Sequence, residues 1–349
     1  MDNSSKNFKG EKTNLFGKTK KELSETVISL GLPKFTASQL CDWLYKKRVT
    51  DFASMTNLSL KTRTLLEEHF SIGRKAPEDR CMESVDGTKK YLFHIAPDAY
   101  VETVYIPDRR RGTLCISSQV GCKMNCLFCA TAKQGFGQHL SAGEILNQVY
   151  SVPEFESLSN IVYMGMGEPL DNLDEVLKSI DILTSDWGLN ISPGRITVSS
   201  VGIQPRLDDF LSNCKCHLAI SLHNPIPEER LHIMPTEQRF PIEKTVSMLR
   251  KYDWSGQRRL SFEYIMFKDK NDTPRHIKAL LRLLGGLPCR MNLIRFHAIP
   301  DIDLESSSQE VIENFRDALS QKGIITTIRA SRGEDILAAC GLLSTKHNR

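Results

Sequence analysis

The stretch Thr113-Leu-Cys115-Ile-Ser-Ser-Gln-Val-Gly-Cys122-Lys-Met-Asn-Cys126-Leu-Phe-Cys129 joins a short apolar run to a loop with three cysteines. The run 114–116 suits a strand, and six more follow at 161–164, 196–198, 218–221, 261–266, 291–296 and 324–328. Helical patterns lie between them at 141–150, 172–184, 204–211, 240–251, 273–284 and 308–321. This alternation predicts parallel strands with covering helices, an open or closed α/β barrel. Active sites of such folds lie at the C-terminal strand ends, which makes the residues just after each run the ones to inspect.

The loop has C-x3-C-x2-C spacing and follows the first predicted barrel strand. Three thiolates can hold three irons of a cubane 4Fe-4S cluster. The fourth iron would then be open to a chelating molecule, such as the amino and carboxylate groups of S-adenosylmethionine. A structural zinc would need a fourth ligand from elsewhere in the chain, and three unrelated cysteines are the remaining account.

Upstream, the texture differs. Residues 1–14 are polar and read as a flexible N-terminus, and 15–75 read as short helices with brief links, a small helical domain. Residues 76–108 read as a small antiparallel sheet linking it to a catalytic domain at 109–345, with Asp86-Gly87 as a hairpin turn. The 349 residues carry 46 Lys+Arg against 42 Asp+Glu, a net charge of +4 that permits a nucleic-acid partner without establishing one. No run approaches the roughly 18 apolar residues of a membrane span, and no apolar signal segment opens the chain, so a cytoplasmic protein with no membrane partner is expected. Ten cysteines in such a chain point to metal or redox chemistry rather than a disulfide framework.

Strand ends supply further candidates. Met164-Gly-Met-Gly167-Glu168-Pro169 follows the second run, where glycines admit close backbone approach and a carboxylate can bind an ammonium or ribose hydroxyl. A tight turn is the plainer account. Ser199, and Ser221-Leu222-His223, occupy equivalent positions, as ligand contacts or as local caps. Cys340, in Leu337-Ala-Ala-Cys340-Gly341, reads by itself as a small buried residue, and Cys115 similarly. Glu102 is either a proton acceptor on a half-buried strand or a solvent-facing residue.

The cysteine loop resembles the signature of the radical S-adenosylmethionine superfamily. Cys115-Ile-Ser-Ser-Gln-Val-Gly-Cys122, Phe128-Cys129-Ala-Thr131 and Gly135-Phe136 resemble a narrower group, the radical methyltransferases of ribosomal RNA adenosine. The likeness spans nearly the whole chain. It implies a partial (β/α)6 radical-SAM barrel, a cluster on Cys122, Cys126 and Cys129, and S-adenosylmethionine held by Gly167, Glu168, Ser199, Ser221, Leu222, His223 and His297. Three positions depart from the family pattern: Ala132 stands for glycine, His297 for asparagine and Asn224 for alanine.

The resemblance also implies the chemistry. Carbon 2 of adenine is electron-poor, so a polar methyl transfer is unattractive. In the family, one S-adenosylmethionine methylates the cysteine corresponding to Cys340. A second is cleaved reductively to methionine and a 5′-deoxyadenosyl radical, which takes hydrogen from the S-methyl group. The carbon radical adds to adenine, tying RNA to enzyme. Loss of the carbon-2 proton to Glu102, and attack of Cys115 on the Cys340 sulfur, would release product and leave a Cys115–Cys340 disulfide for a reductant to reopen.

The implied substrate is an adenosine in the peptidyl-transferase region of 23S rRNA, with tRNA as a further candidate. The implied partners are an electron donor such as flavodoxin and its reductase, and a monomer is expected. Arg109, Arg110, Arg111, Lys123, Lys133, Arg329 and Arg332 are candidate phosphate contacts around the site. In the helical domain Lys46 and Lys47 are candidates as well, while Trp43 reads as core. A related group methylates carbon 8 and confers antibiotic resistance. Pro169 favours carbon 2, whereas Arg295 leans toward carbon 8. From another class, a non-catalytic iron–sulfur or zinc RNA-binding protein would have no need of Cys340, Cys115 and Glu102. Cys41, Cys81, Cys214, Cys216 and Cys289 read as structural.

Overall fold

The computed structural model describes residues 12–79, 81–109 and 111–345. Its centre is one ten-stranded sheet in strict chain order: β1 (Met82–Glu83), β2 (Lys89–Ala96), β3 (Ala99–Asp108), β4 (Arg111–Cys115), β5 (Leu158–Tyr163), β6 (Ile196–Ser200), β7 (His217–Ser221), β8 (Leu260–Met266), β9 (Arg290–Arg295) and β10 (Ile325–Ile328). Strands β4 to β10 are parallel, and β1 to β4 pair antiparallel. The expected linking sheet is therefore no separate body. Backbone groups of β3 find partners on β4, which in turn pairs in parallel with β5 across a register shift at Gly112/Thr113.

The parallel strands carry buried apolar residues, such as Ile161, Val198, Leu218, Phe262 and Leu293, as sheets covered on both faces require. The six predicted crossover helices are all present, within a few residues of their expected ends. A further helix, Pro227–Ile233, starts on a proline at its first turn, a signal the apolar pattern alone did not show.

The chain divides into two compact units. One holds Pro77–Leu140, Val152–Leu177 and Ser192–Arg349, hence the whole ten-stranded sheet. The other comprises Met1–Ala76 with Ser141–Ser151 and Lys178–Ile191. The sequence placed those last two segments in the catalytic domain. They group with the helical unit because Phe16, Tyr45 and Tyr150 pack ring to ring at 5.2–6.2 Å, and Lys178 pairs with Glu22 at 2.6 Å.

In the helical unit Thr19 and Glu22 form a reciprocal cap that starts helix Lys20–Ser29. Thr13–Asn14, expected in the flexible terminus, pair in parallel with Phe70–Ser71, while 1–11 lie outside the described residues. Trp43 is buried, as expected, and Lys47 lies over its ring while pairing with Asp42 at 3.1 Å. Among the described residues no helix is long and apolar enough to cross a membrane.

Candidate active site

A cavity of about 180 Å³ opens at the C-terminal ends of the parallel strands. Its walls include Cys122, Cys126 and Cys129 from the loop, Cys115 from the end of β4, and Cys340 from the C-terminal segment. The loop is closed by backbone. Gly121 sits at φ +71°, and an added Cβ would fall 1.6 Å from the Gly135 carbonyl oxygen, so only glycine fits there. The Ala130 amide then donates to the Gly341 carbonyl and the Thr131 hydroxyl to that of Leu343. Ala132 lies in helix Ala130–Gln134, so its replacement of glycine introduces no positive φ.

Gly167, Glu168, Pro169, Ser199, Ser221 and His223 line the same cavity. Gly167 has φ +104°, and a Cβ would lie 2.7 Å from that of Gln119, so the backbone contact requires glycine. Glu168 is buried, and its carboxylate accepts from the amides of Leu170 and Val201, both at 3.0 Å. Burial pushes its pKa up to about 7 against the downward pull of those donors and the Ser200 hydroxyl. His223 accepts at Nδ1 from the Ile265 amide, 3.1 Å away. Burial, with Arg230 nearby, lowers its pKa to about 3, which keeps the ring neutral.

Three expected site residues lie outside that lining. Leu222 is buried behind Ser221. His297 bonds through Nε2 to the Ser331 hydroxyl at 3.1 Å and faces Glu334 at 3.7 Å through Nδ1. Glu102 is fully buried, paired with Lys90 at 2.9 Å and accepting from the Ser344 amide at 2.9 Å. The ladder partners Val104 with Cys115, so Glu102 stands diagonally across from Cys115 on the same face of the sheet.

The thiols are electrostatically linked. Burial raises Cys115 to about 12, with the neighbouring Cys340 adding to the shift and Arg329 opposing it. Cys340, expected as a buried residue, is exposed at the cavity mouth; desolvation by the surrounding wall still raises its thiol, and Arg329 again pulls down. Arg329, expected as a phosphate contact, instead pairs with buried Glu263 at 3.3 Å on the cavity wall. Asn292 Nδ2 donates to the same carboxylate at 2.7 Å. Sequence reasoning missed Glu263 and Asn292. Their signal was a polar side chain within a run otherwise apolar enough to be buried on both faces.

Of the other basic candidates, Lys123 pairs with Asp171 at 3.0 Å, Arg332 reaches Asp86 at 4.0 Å, and Arg110 lies outside the described residues. Arg295 donates to Gln309 and is absent from the cavity wall, whereas Pro169 is part of it. Asn224 is tied to Glu229 and the Ile226 amide, away from the wall.

Comparison with known proteins matches residues 13–72 to the ribosomal RNA large subunit methyltransferase N-terminal domain and 116–284 to the radical SAM superfamily. A probable dual-specificity RNA methyltransferase RlmN from Phocaeicola vulgatus is 57% identical over 334 residues, 96% of this chain and 95% of its own. The chain belongs to the RlmN family. A second RlmN relative, from Parabacteroides distasonis, is 54% identical and covers 97% of this chain and 98% of its own. The crystal structure of a radical SAM methyltransferase from Sphaerobacter thermophilus superposes with a TM-score of 0.89 at 36% identity, over 95% of this chain and 99% of that one.

Membership of the RlmN family makes the chain a radical methyltransferase that uses an iron–sulfur centre and S-adenosylmethionine. The donor set fits such a centre: three thiols on one closed loop face one cavity, beside a carboxylate, a neutral imidazole and hydroxyls. Among the described residues no three His, Cys, Asp or Glu side chains form a ligand set for a single metal ion. A cubane does not require that convergence, because each thiolate binds a different iron.

Proposed function

We propose that this RlmN-family enzyme methylates carbon 2 of an adenosine in the peptidyl-transferase region of 23S rRNA, and of tRNA, with one S-methylcysteine formed on Cys340. The observation that carries the reading is that Cys115 and Cys340 share one cavity wall with the three loop cysteines. A 4Fe-4S cluster on Cys122, Cys126 and Cys129 would supply the electron that cleaves S-adenosylmethionine, replenished by a donor such as flavodoxin and its reductase. Glu168 would take the ammonium of S-adenosylmethionine, and Ser199, Ser221 and His223 its ribose and carboxylate.

The Cys340 sulfur accepts the methyl group of a first S-adenosylmethionine, and a second is consumed in activating that methyl group. Once the adduct has given one electron back to the oxidised cluster, the Cys115 thiolate attacks the Cys340 sulfur and breaks its bond to carbon. This releases the RNA and leaves a Cys115–Cys340 disulfide for the electron donor to reduce. Glu102 accepts the carbon-2 proton, a role supported by its bond from the Ser344 amide, in the same C-terminal segment as Cys340. His297 acts through the same segment by way of Ser331. Pro169 on the cavity wall favours carbon 2 over carbon 8.

The test is anaerobic turnover of the reconstituted protein with S-adenosylmethionine, reductant and protein-free large-subunit rRNA, followed by mass spectrometry of the digested nucleosides. The expected product is 2-methyladenosine, and a parallel reaction with tRNA tests the second substrate. An 8-methyladenosine product would overturn the position assigned. Neither product, with 5′-deoxyadenosine still formed, would overturn the RNA assignment.

A further inference from the structure

The opposite ends of the parallel strands hold a second cavity, of about 630 Å³, whose walls include Cys289 but none of the five cysteines of the first cavity. His217 is the first residue of β7, Arg259 immediately precedes β8 and Arg290 is the first residue of β9. These strands are neighbours in the sheet, so three basic residues meet on one wall, with Trp254 and Arg258 beside them.

Arginines at this end of an α/β sheet commonly serve the carbonyl ends of neighbouring helices. Two here do so: Arg258 donates to the Leu211 carbonyl at 3.0 Å and Arg250 to that of Leu283 at 2.9 Å. Arg259 and Arg290 do not. Among the described residues neither guanidinium has a hydrogen bond or a carboxylate partner. His217 is already engaged, accepting at Nδ1 from the Arg259 amide at 3.0 Å. Burial first, then Arg259 and Arg290, hold its pKa below the ordinary value. His217 on β7 thus adds no cation of its own beside Arg259 on β8, with Arg290 on the next strand, β9, and among the described residues no carboxylate pairs with either arginine.

We infer that this cavity binds a phosphate-bearing small molecule between the guanidiniums of Arg259 and Arg290. The planar fork of arginine matches phosphate oxygens in pairs, and Trp254 offers an apolar wall for an attached group. The volume lies within the range of roughly 300–1,000 Å³ usual for small-ligand sites. Strands of five to seven residues separate the two ends by about 17–23 Å, so an RNA base held at the cysteines is remote from this cavity.

Calorimetric titration of the full-length, cluster-reconstituted protein tests this, with pyrophosphate, adenosine monophosphate and a short single-stranded RNA as separate probes at about 0.15 M salt. Saturable binding of either small probe, one per chain, is expected, and the R259Q/R290Q protein should bind at least tenfold more weakly. Tighter binding of the nucleotide identifies a nucleotide as the source of the phosphate, and tighter binding of pyrophosphate an inorganic one. R250Q should bind as the parent does. Circular dichroism checks the fold, and R290Q alone carries the test if the double variant unfolds. Absence of small-probe binding, unchanged affinity in the folded variants, or binding of RNA alone would overturn the proposal.

Discussion

The Ala130 amide donates to the Gly341 carbonyl at 2.8 Å. The residue after the last loop cysteine thereby fixes the residue after Cys340, and the two thiol-bearing segments are positioned as one piece. Thr131 repeats the tie to Leu343 at 2.7 Å. Replacing Thr131 with Val leaves the Leu343 carbonyl without that donor, at a cost of about 1–3 kcal/mol. Methylation of Cys340, read by intact-protein mass spectrometry, should slow while overall helicity is kept.

Cys115 and Cys340 should fail in different ways. Cys340→Ala should form neither methylated protein nor RNA adduct. Cys115→Ala should accept methyl, add to RNA and stop there, giving a covalent complex on a denaturing gel. With burial holding the Cys115 thiol up, release from the wild-type adduct should accelerate as pH rises, because the attacking thiolate grows about tenfold per pH unit below its pKa.

Glu102 has a structural and a proposed chemical role that can be separated. Glu102→Gln leaves buried Lys90 without its counter-charge, and breaking a buried pair costs about 3–5 kcal/mol. Lys90→Met in the same protein should recover most of that loss in chemical denaturation. Product release should stay blocked in the double variant, with adduct accumulating, and release at the wild-type rate would remove Glu102 from the proton step.

Glu168 sets a pH signature of the ligand-free protein. Its folded value is about 7 against the ordinary 4.5. Between those values the folded chain keeps a proton that the unfolded chain has lost. Stability therefore falls as pH rises through that window, by at most about 1.4 kcal/mol per pH unit. Glu168→Gln should flatten this slope in urea unfolding curves, and it should weaken S-adenosylmethionine binding.

Arg329 lowers both thiols and neutralises Glu263. Arg329→Met should slow methyl transfer to Cys340 at neutral pH, because without the guanidinium the thiol rises further and less of it is thiolate. Raising the pH should restore part of the rate, while loss of packing alone would not respond to pH.

Much of this was legible in the chain. The alternation of β4 to β10 with helices follows from apolar runs of strand length, and the Cys122 loop from spacing alone. Ala142–Tyr150 was visible as a helix but not as part of the helical unit, because its apolar face does not name what it meets; Phe16 and Tyr45 decide that. Arg329 was misread because a charged residue near a catalytic motif looks the same in sequence whether it faces solvent or a buried carboxylate. The resemblance puts His297 near the cofactor, and what the sequence does not show is the bond its ring makes to Ser331. The side-chain partner, rather than the strand, carried the missing information.

The unbroken pairing of β3 with β4 makes the enzyme sensitive to counting. Glu102 and Cys115 share a face because Val104 is partnered with Cys115. A single residue inserted into the turn between these strands, if absorbed as a one-step slip, would send one of the two groups through to the far side of the sheet. Such a protein could keep its cysteine loop and still lose the last step, so the length of that turn is as much a part of the active site as any side chain in it.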